Sequence, residues 1–232
     1  MNQRLREIKM IFFDAGGTLL NLDAGRIAGN LHDRLGIAID TTLFHRAQCL
    51  TMFHIAKMVG NGKRSTEEVK KEFFTILKKE LGISETEIEK TVEVTLSLSH
   101  SEMLWRSTAA TNRATLLHLK ECGYRLAVIS NSDGRVAEAF AYAGLNDLFE
   151  FIVDSFHVGV EKPDPRIFHI ALEQAGITAN EAVYVGDLYT VDVLGARSAG
   201  LLPILYDPYD LNGDKDCLRI REIEDLVDLL AS

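Results

Sequence analysis

The chain has 232 residues, 47% of them hydrophobic, enough to bury a full core either as one large α/β domain or as a core domain with an insert. Its formal net charge of -9 and the lack of any Lys/Arg-rich run exclude a broad basic surface, and with it a nucleic-acid partner is not expected. Cys49, Cys122 and Cys217 lie far apart with no CxxC pair, so reduced packing thiols are expected and neither a metal knuckle nor a disulfide framework is.

In chain order, MNQRLREIKMIFFD runs straight into a strand without an apolar signal segment, and no later apolar run reaches membrane-spanning length. A soluble, cytoplasmic protein with no membrane partner is the expectation. The first strand is MIFF (10–13). From about Leu22 to about Trp105 no strand-like run follows. GRIAGNLHDRLG, TLFHRAQCLTMFHIAKMVG, TEEVKKEFFTILKKELG and ETEIEKTVEVTLSLSHSEM read instead as successive helices, with GNGKRS and GISE as breaks. Trp105 is expected to pack where this segment returns to the core. Afterward the rhythm changes again. TNRATLLHLKECG (111–123) is a helix closing on glycine, LAVIS (126–130) a strand, and RVAEAFAYAGL a helix. FIVDS (151–155), the helix PRIFHIALEQAG, AVYVGD (182–187) and LPILY (202–206) complete the series.

Short, almost continuously apolar strands suit a parallel sheet covered on both faces, and their alternation with helices implies right-handed crossovers. The predicted fold is therefore α/β, a Rossmann-like doubly wound parallel sheet with an inserted all-helical cap domain. The core comprises residues 1–21 and 106–232, and the cap residues 22–105. Such a cap is expected over the sheet edge where the first strand ends, where it could close a site and exclude water.

Ligands of a doubly wound sheet gather at the C-terminal ends of its strands. The first strand runs into Asp14, and the next core strand ends in Ser130 and Asn131. A loop carries Lys162 in EKPDP, and AVYVGD ends in Gly186 and Asp187, with Asp192 five residues on. Singly, these residues have ordinary readings: Asp14 as a turn or cap residue, Ser130 and Asn131 as helix caps, Lys162 as a solvated loop lysine, and Asp192 as a first-turn helix residue. Together and in order, they form a phosphoryl-transfer set. A carboxylate serves as nucleophile, a hydroxyl and a lysine hold phosphate oxygens, and acidic residues hold a divalent cation.

DAGGT, ISNSDG, the lysine of EKPDP and GDLYTVD resemble, in order and spacing, the four motifs of the haloacid dehalogenase superfamily of hydrolases. The helical insert after the first motif resembles that superfamily's C1-type cap. The resemblance implies that Asp14 attacks phosphorus to form an aspartyl-phosphate while Ser130 and Lys162 stabilise the transferring group, with Asn131 among the substrate-binding residues. It further implies Mg²⁺ held by Asp14, the backbone carbonyl of Gly16 and Asp187, with Asp192 assisting through a second layer or a water.

Gly16 departs from the pattern. Phosphatase members carry there a second Asp that protonates the leaving oxygen and then activates water. Glycine does neither, and a positioned acid–base group is worth about 10²–10⁴-fold. The leading expectation is a Mg²⁺-dependent phosphatase of a small phosphorylated metabolite, with proton transfer supplied by Asp23, by a cap histidine or by a leaving group that needs none. The alternatives are a 2-haloacid dehalogenase, a phosphonatase using a cap lysine such as Lys57 or Lys63, and a non-catalytic binding module. The acidic pair of GDLYTVD weighs against the metal-independent dehalogenase. No oligomeric state is implied.

Two further segments fail as motifs. GNGKRS resembles a P-loop, but Lys57 stands where its first glycine belongs, and DLNGDKD resembles a calcium loop, but Lys215 and Arg221 occupy the glycine and glutamate positions. The seven histidines are scattered, and His157 and His169, near the lysine loop, are candidates for a supporting role at best.

Overall fold

The computed structural model of the chain describes residues 5–59 and 66–231. It divides into two compact units, one made of the chain up to Leu20 together with Thr108 onward, the other of Asn21–Ser107. The first unit is built on a parallel sheet of β1 (Met10–Phe13), β4 (Arg125–Ser130), β5 (Ile152–Asp154), β6 (Ala182–Gly186), β7 (Leu202–Tyr206) and β8 (Leu218–Ile220). The spatial order is β5-β4-β1-β6-β7-β8, every pair parallel.

The sequence pattern explains this sheet. All residues of β1 and β6 are buried, as are all of β4 beyond Arg125, because helices cover both faces and leave no solvent side for a polar residue. One face packs Met10, Phe12, Ile129 and Tyr184 against Ile167 and Phe168 of the helix Pro165–Ala175. That helix begins at Asp164, whose carboxylate accepts from the Arg166 N–H, has proline at its first position and ends at Gly176.

Two expectations needed adjustment. FIVDS contributes only Ile152–Asp154 to the sheet, because Ser155 already opens a short helical turn, Ser155–Val158. β8, like the short strands Asn21–Leu22 and Trp105–Ser107, has no counterpart among the predicted strands: its three residues include a half-buried arginine, Arg219, and carry no apolar run.

The second unit is helical, with helices Ala24–Leu35, Phe44–Val59, Thr66–Glu80 and Glu85–Ser101. Ile27, Leu31, Phe73, Leu77, Ile88 and Val92, at helical spacing, form its core. A two-stranded antiparallel ribbon of β2 (Asn21–Leu22) and β3 (Trp105–Ser107) joins its two chain ends. Gln48 ties the second helix to that ribbon, accepting from the Leu22 N–H at 2.9 Å and donating to Asn21 Oδ1 at 2.7 Å. Trp105 packs within this unit, its ring 5.9 Å from that of Phe73. The GNGKRS break and Lys63 lie outside the described residues. Among the described residues, no helix is long and apolar enough to cross a membrane.

Candidate functional site

Because β1, β4 and β6 are parallel neighbours, their C-terminal ends open on one edge, and the backbone there places the polar residues. Asp14 follows β1 directly, its N–H donating to Val185 O of β6 at 2.8 Å, so its carboxylate emerges beside the end of that strand. The chain then folds back tightly, with the N–H groups of Leu19 and Leu20 both reaching Ala15 O. Within this turn Gly17 has φ +96, and a Cβ on it would stand 2.5 Å from Asp187 Oδ2, so only glycine lets the turn approach the second carboxylate. Gly16 lies outside the left-handed region, and its carbonyl accepts no hydrogen bond among the described residues.

Lys162 is the hub of the site. Its buried ammonium donates to Asp14 Oδ1 at 2.5 Å, to Tyr184 Oη at 2.7 Å and to Asp192 Oδ1 at 2.8 Å. Asn131 clamps the lysine's main chain, accepting from the Lys162 N–H at 2.8 Å and donating to Lys162 O at 2.9 Å. The side-chain amide expected to meet substrate thus also holds the lysine loop in place. Ser130, at the end of β4, is buried, and its hydroxyl makes no hydrogen bond among the described residues.

Asp192 reaches the site through a π-type turn over Tyr189–Val193, a widened helical geometry common at functional sites. Its Oδ2 accepts from the Leu188 N–H at 2.9 Å, while Oδ1 accepts from Lys162 and Tyr184. The carboxylate tucks against Gly186, where a Cβ would stand 2.5 Å from its Cγ. Gly186→Ala should therefore displace Asp192 and cost about 1–3 kcal/mol of stability by overpacking, read as a lowered thermal midpoint.

One carboxylate oxygen from each of Asp14, Asp187 and Asp192 lies within 4.8 Å of the others. Three carboxylates thus crowd one ammonium, which contacts two of them, Asp14 and Asp192. Burial pushes the Asp14 carboxyl up to about 6, with Lys162 opposing and Asp192 adding to the rise. Burial, then the charges of Asp14 and Asp192, push Asp187 well above the carboxylate range. Burial also opposes the charge on Lys162, but Asp14 and Asp192 outweigh it and keep the amine protonated. The excess negative charge and all-oxygen donors fit a hard divalent cation. Asp192 already accepts from three donors, Lys162, Tyr184 and the Leu188 N–H. The Thr18 hydroxyl lies 3.4 Å from Asp14 Oδ2 and 3.5 Å from Asp187 Oδ1, and the carboxylates of Asp14, Asp187 and Asp192 are the groups that could hold such an ion.

Sequence reasoning missed Tyr184, Thr18 and the need for Gly17. The other candidates have separate employment. Asp23 caps the helix Ala24–Leu35 through the Arg26 N–H and accepts from Arg106 Nε at 3.0 Å. Lys57 sits over the Phe53 ring, and His157 and His169 are exposed.

A family model described as haloacid dehalogenase-like hydrolase matches residues 8–200. The chain belongs to this family. Among curated relatives of this haloacid dehalogenase-like chain, the haloacid dehalogenase-like hydrolase domain-containing protein 3 of Bos taurus is 41% identical over 88 residues, 38% of this chain and 35% of that protein. The glyceraldehyde 3-phosphate phosphatase of Methanothermobacter thermautotrophicus is 38% identical over 104 residues, 44% of this chain and 46% of the relative. The matched stretches thus span less than half the length of these relatives. Among solved structures, the HAD-hydrolase YfnB from Bacillus subtilis, bound to magnesium, has a TM-score of 0.70 at 21% identity, covering 97% of this chain and 99% of that one. At that identity the likeness is one of fold.

Proposed function

We propose that the chain is a Mg²⁺-dependent phosphatase of small phosphorylated metabolites, acting through Asp14. The observation that carries this reading is the state of Asp14: buried, one oxygen held by the Lys162 ammonium at 2.5 Å and the other 3.4 Å from the Thr18 hydroxyl, in a group with Asp187 and Asp192. The relatives named glyceraldehyde 3-phosphate phosphatase support the substrate class.

In this reading a carboxylate oxygen of Asp14 attacks phosphorus as the ester P–O bond breaks, giving an aspartyl-phosphate and an alkoxide that takes a proton from solvent. Water then attacks the acyl-phosphate, releasing phosphate and restoring the carboxylate. Lys162 fixes the nucleophile and sets positive charge beside the transferring group, while the unengaged Ser130 hydroxyl is available to a phosphoryl oxygen. Asp14, Asp187 and the Gly16 carbonyl would hold Mg²⁺, with Asp192 one layer behind. The ion would neutralise the phosphate and lower the crowded carboxyls' affinity for protons. Gly16 leaves both proton transfers without a side chain at that position.

The test is hydrolysis of p-nitrophenyl phosphate and acetyl phosphate with and without Mg²⁺, alongside chloroacetate without metal. The expected result is Mg²⁺-dependent phosphate release that EDTA abolishes, with an intact-mass gain of one phosphoryl group mapping to the peptide that contains Asp14. Metal-independent chloride release from chloroacetate would transfer the assignment to carbon–halogen hydrolysis. The absence of both turnover and adduct would overturn phosphate-ester chemistry.

A further inference from the structure

Tyr184 lies in the middle of β6, fully buried, with its ring packed edge-on against Phe168 at 5.0 Å. Phenylalanine would fill that place equally well, so the hydroxyl calls for a separate reason. A buried phenol needs hydrogen-bond partners, and here they belong to the site: the hydroxyl accepts from Lys162 Nζ at 2.7 Å and turns its own proton to Asp192 Oδ1 at 3.0 Å and Ile129 O at 3.3 Å.

Counting donors shows what this does. An ammonium has three N–H groups, and Lys162 meets Asp14 Oδ1, Asp192 Oδ1 and Tyr184 Oη with them. Without Tyr184, two anionic acceptors would define the amine, leaving it free to rotate and slide between them. With it, three acceptors on three elements fix both its position and its rotation. Burial, with the nearby charges of Asp192 and Asp14, pushes the phenol well above its usual range, so it stays neutral and always has one proton to donate and lone pairs to accept.

We propose that the Tyr184 hydroxyl is a positioning group that docks the third N–H of Lys162 and so holds the ammonium against Asp14 and Asp192. Its consequence for catalysis rests on the phosphoryl-transfer reading above: the amine is pre-aimed where charge develops, instead of being recruited by substrate. Aiming of this kind is felt in the transition state more than in binding.

The test is Tyr184→Phe, which removes one oxygen and keeps the ring. With p-nitrophenyl phosphate and Mg²⁺, kcat should fall about 10- to 100-fold, the value of a hydrogen bond to a charged group, with KM within about twofold of wild type. A second readout needs no turnover. In protein carrying isotopically labelled lysine side-chain nitrogen, the Lys162 ammonium signal, assigned by its loss in Lys162→Met, should shift or broaden in Tyr184→Phe. An unchanged kcat or an unchanged ammonium signal overturns the proposal, as does a rise in KM that accounts for the whole loss. If the wild type hydrolyses no phosphate ester, the reading of function fails by itself and the ammonium signal alone decides the positioning role.

Discussion

Gly16→Asp should raise steady-state turnover of phosphate monoesters by about 10²–10⁴-fold, the usual contribution of a positioned acid–base group. The backbone permits the change: Gly16 has no left-handed φ to lose, whereas its neighbour Gly17 has φ +96 and abuts Asp187. The substitution leaves the carbonyl of residue 16 in place, so the part proposed for it in holding Mg²⁺ would survive. With an alkyl phosphate the new carboxyl serves twice, protonating the leaving oxygen and then activating water. With p-nitrophenyl phosphate, whose leaving group needs little protonation, only the second role counts, so the gain should be smaller. Stopped-flow kinetics separate the two steps, since a wild-type burst followed by slow release should become a single fast phase in the variant. Gly16→Ala is the control and should leave rates near wild type. If Gly16→Asp does not accelerate either substrate, another group already performs the proton transfers and the glycine is no defect.

The strand ends were legible because a parallel strand buried on both faces writes itself as an unbroken apolar run, as MIFF and AVYVG do, and the polar residue that follows marks its edge. β8 was invisible for the opposite reason: it is three residues long and carries Arg219. Within the site, residues at strand ends could be named from position alone, but partnerships across the chain could not. Tyr184 reads as packing inside an apolar strand, and its partner Lys162 belongs to a loop 22 residues earlier. Asn131 reads as a cap or a phosphate contact because its actual partner is main chain, the N–H and C=O of Lys162, which no residue type announces. Gly17 was unremarkable until the approach of Asp187 explained it.

Lys78→Met should stabilise the protein, and by an amount that depends on pH. Lys78, in the helix Thr66–Glu80, is fully buried, and its amine has no hydrogen-bond partner among the described residues. In sequence it looks like the ordinary basic end of a helix, followed as it is by Lys79. Its burial pushes the amine down to about 7 from an ordinary value of 10.5. Between those two values the unfolded chain binds a proton that the folded chain lacks, so stability rises with pH across that window. At and below pH 7 the folded state keeps the charge in an apolar setting, and removing it should gain on the order of 3–5 kcal/mol. Methionine preserves the length and flexibility of the side chain, so the site should refill without a cavity. Chemical denaturation at pH 6 and pH 10 measures the effect: the variant should exceed wild type by several kcal/mol at the lower pH, and the gap should close as the wild-type amine becomes neutral in both states (about 3–5 kcal/mol narrowing toward zero). A gap independent of pH would mean that the substituted side chain improves packing alone. A loss of stability at both pH values would mean that the Lys78 amine has a partner in the folded protein and is held there as a charge.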